Sequence, residues 1–315
     1  MQIKELSRRI QRFFARIMLQ FCVLIIKLIP EKYVYGFAHI LAKLGFAVAA
    51  KHRRVAFESL NIAFGKEKKE EEIKQIAVDC FENIAKMVVE FMVFLDKPDF
   101  INRYVTVRGI ENLDKALAKK KGVVALSAHF GNFPLMLAKL AAQGYEIATM
   151  LRYMRDPWVS QYFHVKRENL GISSIYTQPR KQCVEKSLET LRQNKILFIQ
   201  LDQNFGTGGV FVDFFGKKAA TAKGPIVFAL RTKSPIVPMF IYREKNNMQR
   251  VVIEPEAEIA EGKDFEETIY LTAQKLTGII ESYARRYPSD WGWIHKRWKA
   301  RPKEEIVPMA EELSL

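Results

Sequence analysis

Cysteine is scarce. The three in the chain, Cys22, Cys80 and Cys183, lie too far apart to suggest a disulfide framework or a cysteine-type zinc site, and they fit a reducing compartment. The five histidines are scattered. None forms H-x-x-x-H or H-E-x-x-H, so no metal site is expected. There is no G-x-S-x-G nucleophile elbow. There is also no G-x-x-x-x-G-K-[ST], and no G-x-G-x-x-G ahead of a helix, which excludes the common phosphate-binding loops. Low-complexity linkers and internal repeats are missing too. If the chain is an enzyme, these gaps leave direct transfer aided by a base, without a cofactor, as the simplest chemistry. Acidic residues are the minority: 35 Asp and Glu against 50 Lys and Arg leave a net charge of +15. A charge of that size calls for an acidic partner, whether nucleic acid, anionic lipid or an acidic carrier.

What is present is a greasy, basic N-terminus followed by an alternating body. Apolar side chains at Ile3, Leu6, Ile10, Phe13, Ile17, Phe21, Leu24 and Leu28 step at helical spacing, with Arg8, Arg9, Arg12 and Arg16 off the stripe. The clean run between Arg16 and Lys27 is ten residues, about half of what a membrane-spanning helix needs. No small-residue cleavage site follows it, as a secretory signal would require. An amphipathic helix lying in the membrane interface satisfies both the stripe and the charge. A second apolar stretch, Tyr33 to Ala50, ends at the basic cluster Lys51, His52, Arg53 and Arg54. The expected organisation is a membrane-associating helical segment over 1–50, an α/β domain over 51–303 and a loose tail over 304–315.

In the body, Ile73 to Phe91 repeats at helical spacing after the charge run Lys66–Glu72. Beyond residue 105, short apolar runs (122–127, 146–150, 196–201, 236–242 and 250–253) alternate with helical stretches (134–143, 158–169, 181–193 and 223–231). A last helix covers 265–286. This alternation argues an α/β sheet with helices on its faces.

Two strand ends carry polar residues. The run GVVALSA ends directly before His129, and Pro134 suits the first turn of the helix that follows. In open α/β sheets this edge is where ligands bind. A histidine there can take a proton from a hydroxyl near neutral pH, and helix-start N–H groups near Gly131 and Asn132 can hold an anion. The run KILFIQL enters Asp202 and Gln203, so Asp202 and His129 sit at equivalent strand ends and can face one site. Arg152, Arg155 and Arg167 are candidates for gripping phosphates. The segment WGWIHKRWKARP, residues 291–302, mixes three tryptophans with bases, which suits a membrane interface. It also suits nucleic acid, but no nucleic-acid motif accompanies it.

Several blocks resemble one family. SAHFGNFPLM resembles the H-x-x-x-x-D/E motif of bacterial lysophospholipid-type acyltransferases. Its FGN is similar to the branch that makes lipid A, the late acyltransferases of the lauroyl/myristoyl type. Residues 201–244, WGWIHKRWKARP, and Arg53–Phe64 with Asn61 resemble further blocks of that family in order and spacing. The resemblance implies a glycerol-3-phosphate acyltransferase-like central sheet flanked by helices, on the cytoplasmic face of the inner membrane of Gram-negative bacteria. It implies transfer of a fatty acyl chain from acyl carrier protein to a hydroxyl of an acylated, phosphorylated glucosamine lipid. The acidic carrier and the anionic acceptor suit a +15 chain, and nucleic acid is not an expected partner. In these terms His129 is the general base and Asp202 matches the D-Q aspartate. Gly131, Asn132, Arg152, Arg167 and Gln203 are substrate-binding candidates.

One departure stands out: Pro134 occupies the position where the family carries its acid. Either another carboxylate orients the imidazole (Asp202 first, Glu168 second), or a backbone carbonyl does, or transfer has been lost. An acceptor other than a lipid A precursor, such as another glycolipid, an aminolipid or a lysolipid, also stays open.

Overall fold

The computed structural model describes residues 17, 20, 24–26, 28–154 and 156–302. The first half of the N-terminal stripe, with its four arginines, Arg155 and the 304–315 tail lie outside them. Three helices come first: α1 (Val34–Val48), α2 (Ala50–Phe64) and α3 (Glu70–Val93). A short α4 (Pro98–Tyr104) leads into the alternating body: β1 (Val105–Arg108), α5 (Ile110–Ala118), β2 (Val123–Ser127), α6 (Phe133–Ala142), β3 (Ile147–Leu151), α7 (Pro157–Asn169), β4 (Ile172–Tyr176), α8 (Arg180–Arg192) and β5 (Ile196–Gln200). A hairpin of β6 (Val210–Phe214) and β7 (Lys217–Thr221) follows. The chain then runs through α9 (Gly224–Thr232), β8 (Ile236–Arg243), β9 (Gln249–Ile253) and α10 (Phe265–Arg286).

Seven strands form one sheet in the order β1-β9-β8-β2-β5-β3-β4, and β6 and β7 pair apart from it. β8, β2, β5, β3 and β4 are mutually parallel, whereas β9 runs antiparallel to β8 and β1 runs parallel to β9. The result is a mixed α/β fold with a mostly parallel central sheet. All five residues of β2 are buried, as expected for a parallel strand covered on both faces. Alternate side chains divide between two cores. Val124, Leu126, Leu197 and Ile199 join α2, α8, α9 and α10 on one face. Val123, Ala125, Ile196 and Phe198 join α4, α5 and α6 on the other.

The expected strands and helices over 122–286 are present within a residue or two. β1, β4 and the β6–β7 hairpin were not among them. β4 reads ISSIY, whose central serines interrupt the apolar run, and β6 starts directly after Gly208 and Gly209, inside what reads as a glycine loop.

Val34, Ala38 and Ala42 bury one face of α1, while Ile40, Leu44 and Val48 are exposed on it. Arg53 closes the end of α1 by donating to the carbonyls of Phe46 and Ala47, which satisfies carbonyls a helix end leaves open. Among the described residues no single helix is long and apolar enough to cross a membrane, and the helices either side of Ala49 meet at 88°.

Candidate active site

β2 and β5 are neighbours in parallel register, with Ser127 opposite Gln200. Two residues further along each strand, past their carboxyl ends, come His129 and Asp202. The pairing continues beyond the strands, since Leu201 N donates to Ser127 O at 3.0 Å. Asp202 is 2% exposed and its two oxygens are fully engaged. Oδ1 lies 2.8 Å from His129 Nδ1, and Oδ2 accepts from His129 N at 3.0 Å and from Trp291 Nε1 at 2.9 Å. Burial by itself raises this carboxyl, but the imidazole and the hydrogen bonds of His129 outweigh it and hold the group down at about 2. Asp202 is therefore a carboxylate through the neutral range. Neutral His129 then carries its proton on Nδ1 and presents a lone pair at Nε2, the arrangement a general base needs.

A carboxylate thus meets the imidazole in space, although Pro134 holds the position of the acid in sequence. Pro134 lies in the first turn of α6, and the carboxylate on the imidazole comes from the neighbouring strand. Glu168, the second candidate, is engaged elsewhere: its Oε1 lies 3.2 Å from His164 Nε2, one turn away on α7.

The loop after His129 is tied down inside the protein. Three of its backbone N–H groups are taken: His129 N by Asp202, Phe130 N by Ala128 O, and Gly131 N by Asp290 O at 2.8 Å. The N–H of Gly131 itself is therefore not free for an oxyanion. Gly131 serves the loop differently. Its φ is +51°, and a Cβ there would run into the Ile241 carbonyl, so only glycine fits. Asn132 is corrected likewise. It is buried, its Oδ1 accepts from Leu135 N to cap α6, and its Nδ2 donates to Glu90 Oε2 at 2.8 Å. It supports the loop rather than facing substrate.

Glu90, on α3, is fully buried and also accepts from the two terminal guanidinium nitrogens of Arg243, at 2.7 and 2.8 Å, the amide of Gln249 and the hydroxyl of Tyr35. The sequence reading missed it. Its signal was a lone carboxylate in the apolar run Met87–Leu95, which folds only if fully paired.

The free edge of His129 opens on a cavity of about 1270 Å³, above the about 300–1,000 Å³ of ordinary small-molecule sites. Its walls are largely apolar, with Phe91, Leu95, Leu137, Phe163 and Phe228 among them, and Arg152, Arg167, Arg180 and Arg231 also line it. Arg152 is exposed there. Arg167 donates Nε–H to Ser174 Oγ at 2.9 Å, and burial lowers its pKa while Tyr176 opposes that. Gln203, the residue after Asp202, places Nε2 3.0 Å from His129 Nε2 and 3.3 Å from His295 Nε2.

The C-terminal tryptophans contradict the reading of a membrane-facing surface. Trp291, Trp293, Trp298 and Arg297 are all buried. Each indole N–H has an internal acceptor: Asp202 for Trp291, the Pro288 carbonyl for Trp293 and the Phe214 carbonyl for Trp298. Arg297 donates to the carbonyls of Gln203 and Ala220 and to Thr221 Oγ1. With the indole N–H groups satisfied inside, these side chains build the wall behind the site.

The sequence model of the family described as bacterial lipid A biosynthesis acyltransferase matches residues 1–300. Among curated relatives, lipid A biosynthesis acyltransferase 2 of Shigella flexneri is 25% identical over 279 residues, 85% of each chain. The lipid A biosynthesis lauroyltransferase of Escherichia coli (strain K12) is 24% identical over 290 residues, 87% of this chain and 88% of the relative. The phosphatidylinositol mannoside acyltransferase of Mycobacterium tuberculosis (strain ATCC 25618 / H37Rv) is 24% identical over 195 residues, 62% of this chain and 60% of the relative.

Proposed function

The chain belongs to the bacterial lipid A biosynthesis acyltransferase family, and from that premise we propose that it moves a fatty acyl chain from acyl carrier protein to a hydroxyl of a lipid A precursor. The observation that carries this reading is the His129–Asp202 pair, 2.8 Å apart, beside a large apolar cavity. His129 Nε2 takes the proton of the acceptor hydroxyl, and the oxygen attacks the thioester carbonyl. Asp202 holds the tautomer and stabilises the imidazolium that forms. Collapse of the tetrahedral intermediate expels the carrier thiolate, which takes a proton back from the imidazolium. The cavity holds the acyl chain by apolar burial. Arg152, exposed beside it, is the cation available to the oxyanion or to a phosphate of the acceptor, and Arg167 contributes positive charge to the same wall.

The acceptor has a second reading. The similarity to phosphatidylinositol mannoside acyltransferases supports a different anionic glycolipid, with the same base and donor chemistry.

We place the reaction at the cytoplasmic face of the inner membrane. The exposed row Ile40, Leu44 and Val48 on α1, followed by the basic cluster at 51–54, supports an interfacial contact with anionic lipid. Removing residues 1–30 is expected to weaken binding to anionic vesicles, and undiminished binding would refute the interfacial segment.

The test of the reaction is transfer of a labelled acyl chain from acyl carrier protein to a tetra-acylated lipid A precursor, with wild type and His129→Ala side by side. Transfer by wild type alone is expected. Equal transfer by both overturns the base. Transfer by wild type only when a phosphatidylinositol mannoside replaces the precursor moves the acceptor to the second reading.

A further inference from the structure

His129 Nε2 has one lone pair, in the ring plane, and it is already occupied. The Gln203 amide nitrogen lies 3.0 Å away, and an amide nitrogen only donates. Its second hydrogen points to His295 Nε2 at 3.3 Å. One NH₂ group thus bridges two imidazoles whose ring centres are 5.1 Å apart. A substrate hydroxyl cannot share that lone pair with the amide. The amide must leave before the base can act, and in a largely apolar cavity it needs somewhere to go.

We propose that Gln203 is a displaceable cap on the imidazole of His129, and that His295 is the dock that retains the cap when an acceptor hydroxyl takes its place. Both are positioning residues, and the inference rests on His129 being the base. The geometry makes the exchange short. The main chain at Gln203 stays fixed, because its carbonyl accepts from Arg297, so only the side chain pivots. In the displaced position the amide keeps its bond to His295 and no buried donor is stranded. His295 suits this role because it stays neutral. Burial lowers its pKa first, and the charges of His129 and His52 add to that, with only Asp202 opposing. A neutral ring keeps an acceptor at Nε2. The ionisable groups around this pair are Asp202 after β5, His295 and Arg297 from the C-terminal segment, His52 from α2, and Arg152 on the cavity wall.

The experiment uses the full chain and two readouts. One is site-resolved carbethoxylation of His129 by diethyl pyrocarbonate, which attacks an unprotonated, unblocked imidazole nitrogen. The other is the steady-state kinetics of acyl transfer. Gln203→Ala is expected to speed labelling of His129 about fivefold, the weight of one neutral hydrogen bond. His295→Phe is expected to raise KM for the acceptor about fivefold by removing the dock, and His295→Gln, whose carbonyl can accept from the amide, is expected to restore it. Unchanged labelling in Gln203→Ala overturns the cap. Equal impairment by His295→Phe and His295→Gln overturns the dock and leaves His295 a packing residue. Transfer that survives His129→Ala overturns the base, and with it the catalytic meaning of the cap. Transfer lost in His129→Ala with unchanged labelling in Gln203→Ala overturns the cap alone.

Discussion

Trp291 donates its indole N–H to Asp202 Oδ2 at 2.9 Å, although 89 residues separate the two in the chain. This bond adds a third donor to the two that His129 supplies. It also docks the C-terminal segment against the loop after β2, where Gly292 N donates to the His129 carbonyl at 3.0 Å. The carboxylate beside the His129 imidazole is thus held from two sides by parts of the chain remote in sequence.

Trp291→Phe keeps the ring and removes the donor. A hydrogen bond to a buried charged group is worth about 1.5–3 kcal/mol, so kcat is expected to fall at least about tenfold with little change in KM. Steady-state transfer kinetics check this, and a wild-type kcat would show that the indole N–H does not support Asp202.

Asp202→Asn keeps the shape but removes the charge and lets an amide face Nδ1. The imidazole then loses its fixed tautomer, and a loss of about 10²–10⁴ in kcat is expected, by analogy with the aspartate of serine-protease triads. Circular dichroism establishes that the variant is folded, and the rate decides. A loss under about threefold would mean that the carboxylate does not serve the base.

Glu90→Ala removes the carboxylate that pairs with the guanidinium of Arg243; the arginine side chain is 9% exposed and loses its ion-pair partner. Losing one partner of a buried pair costs about 3–5 kcal/mol. It also frees Asn132, which caps α6 beside His129. Chemical denaturation is expected to report that destabilisation, with Glu90→Gln milder because it still accepts hydrogen bonds. A midpoint within error of wild type for Glu90→Ala would contradict the network.

Asp290 supplies the pH prediction for stability. Burial pushes its carboxyl from the ordinary 3.8 up to about 7, against the pull of Arg243 and Lys86. Between those two values the folded chain holds a proton that the unfolded chain has released, so stability falls as pH rises through that window. Asp290→Asn removes the titration. The Tm of the variant minus that of wild type is expected to grow from pH 4 to pH 8. A difference that stays level would show that the carboxyl titrates normally.

Much of the fold was legible because its signals are local. A run such as VVALS with no polar residue until its end must be covered on both faces, and a proline two residues into a helical stretch marks a helix start. Of the elements missed, β4 is broken by two serines and β6 follows two glycines directly, so both have weak local signals. The site was legible in part for the same reason. Histidine and aspartate directly after two apolar runs mark two strand ends, and parallel strands carry their carboxyl ends to one edge. That β2 and β5 are neighbours is not written in either run. It depends on the order of strands in the sheet, and that order brings Asp202 to the imidazole when the local acid position holds Pro134.

The C-terminal block shows the limit most directly. Composition alone made WGWIHKRWKARP an amphipathic, membrane-facing surface, because tryptophan and arginine pair an apolar body with a polar tip. Which tip finds an internal acceptor depends on what lies across the fold. Here Asp202, the Gln203 carbonyl and Thr221 accept from Trp291 and Arg297, and those side chains are buried while Lys296 and Lys299 stay exposed. The sequence by itself determined the α/β class, the family, the base candidate and the excess of positive charge, because each is carried by residues near one another in the chain. Tertiary structure decided which carboxylate meets His129, that Gly131 and Asn132 brace the loop, and that Gln203 lies between two histidines. Those relationships are distances between strands and segments far apart in the chain, as from Gln203 to His295, 92 residues on, and only packing sets them.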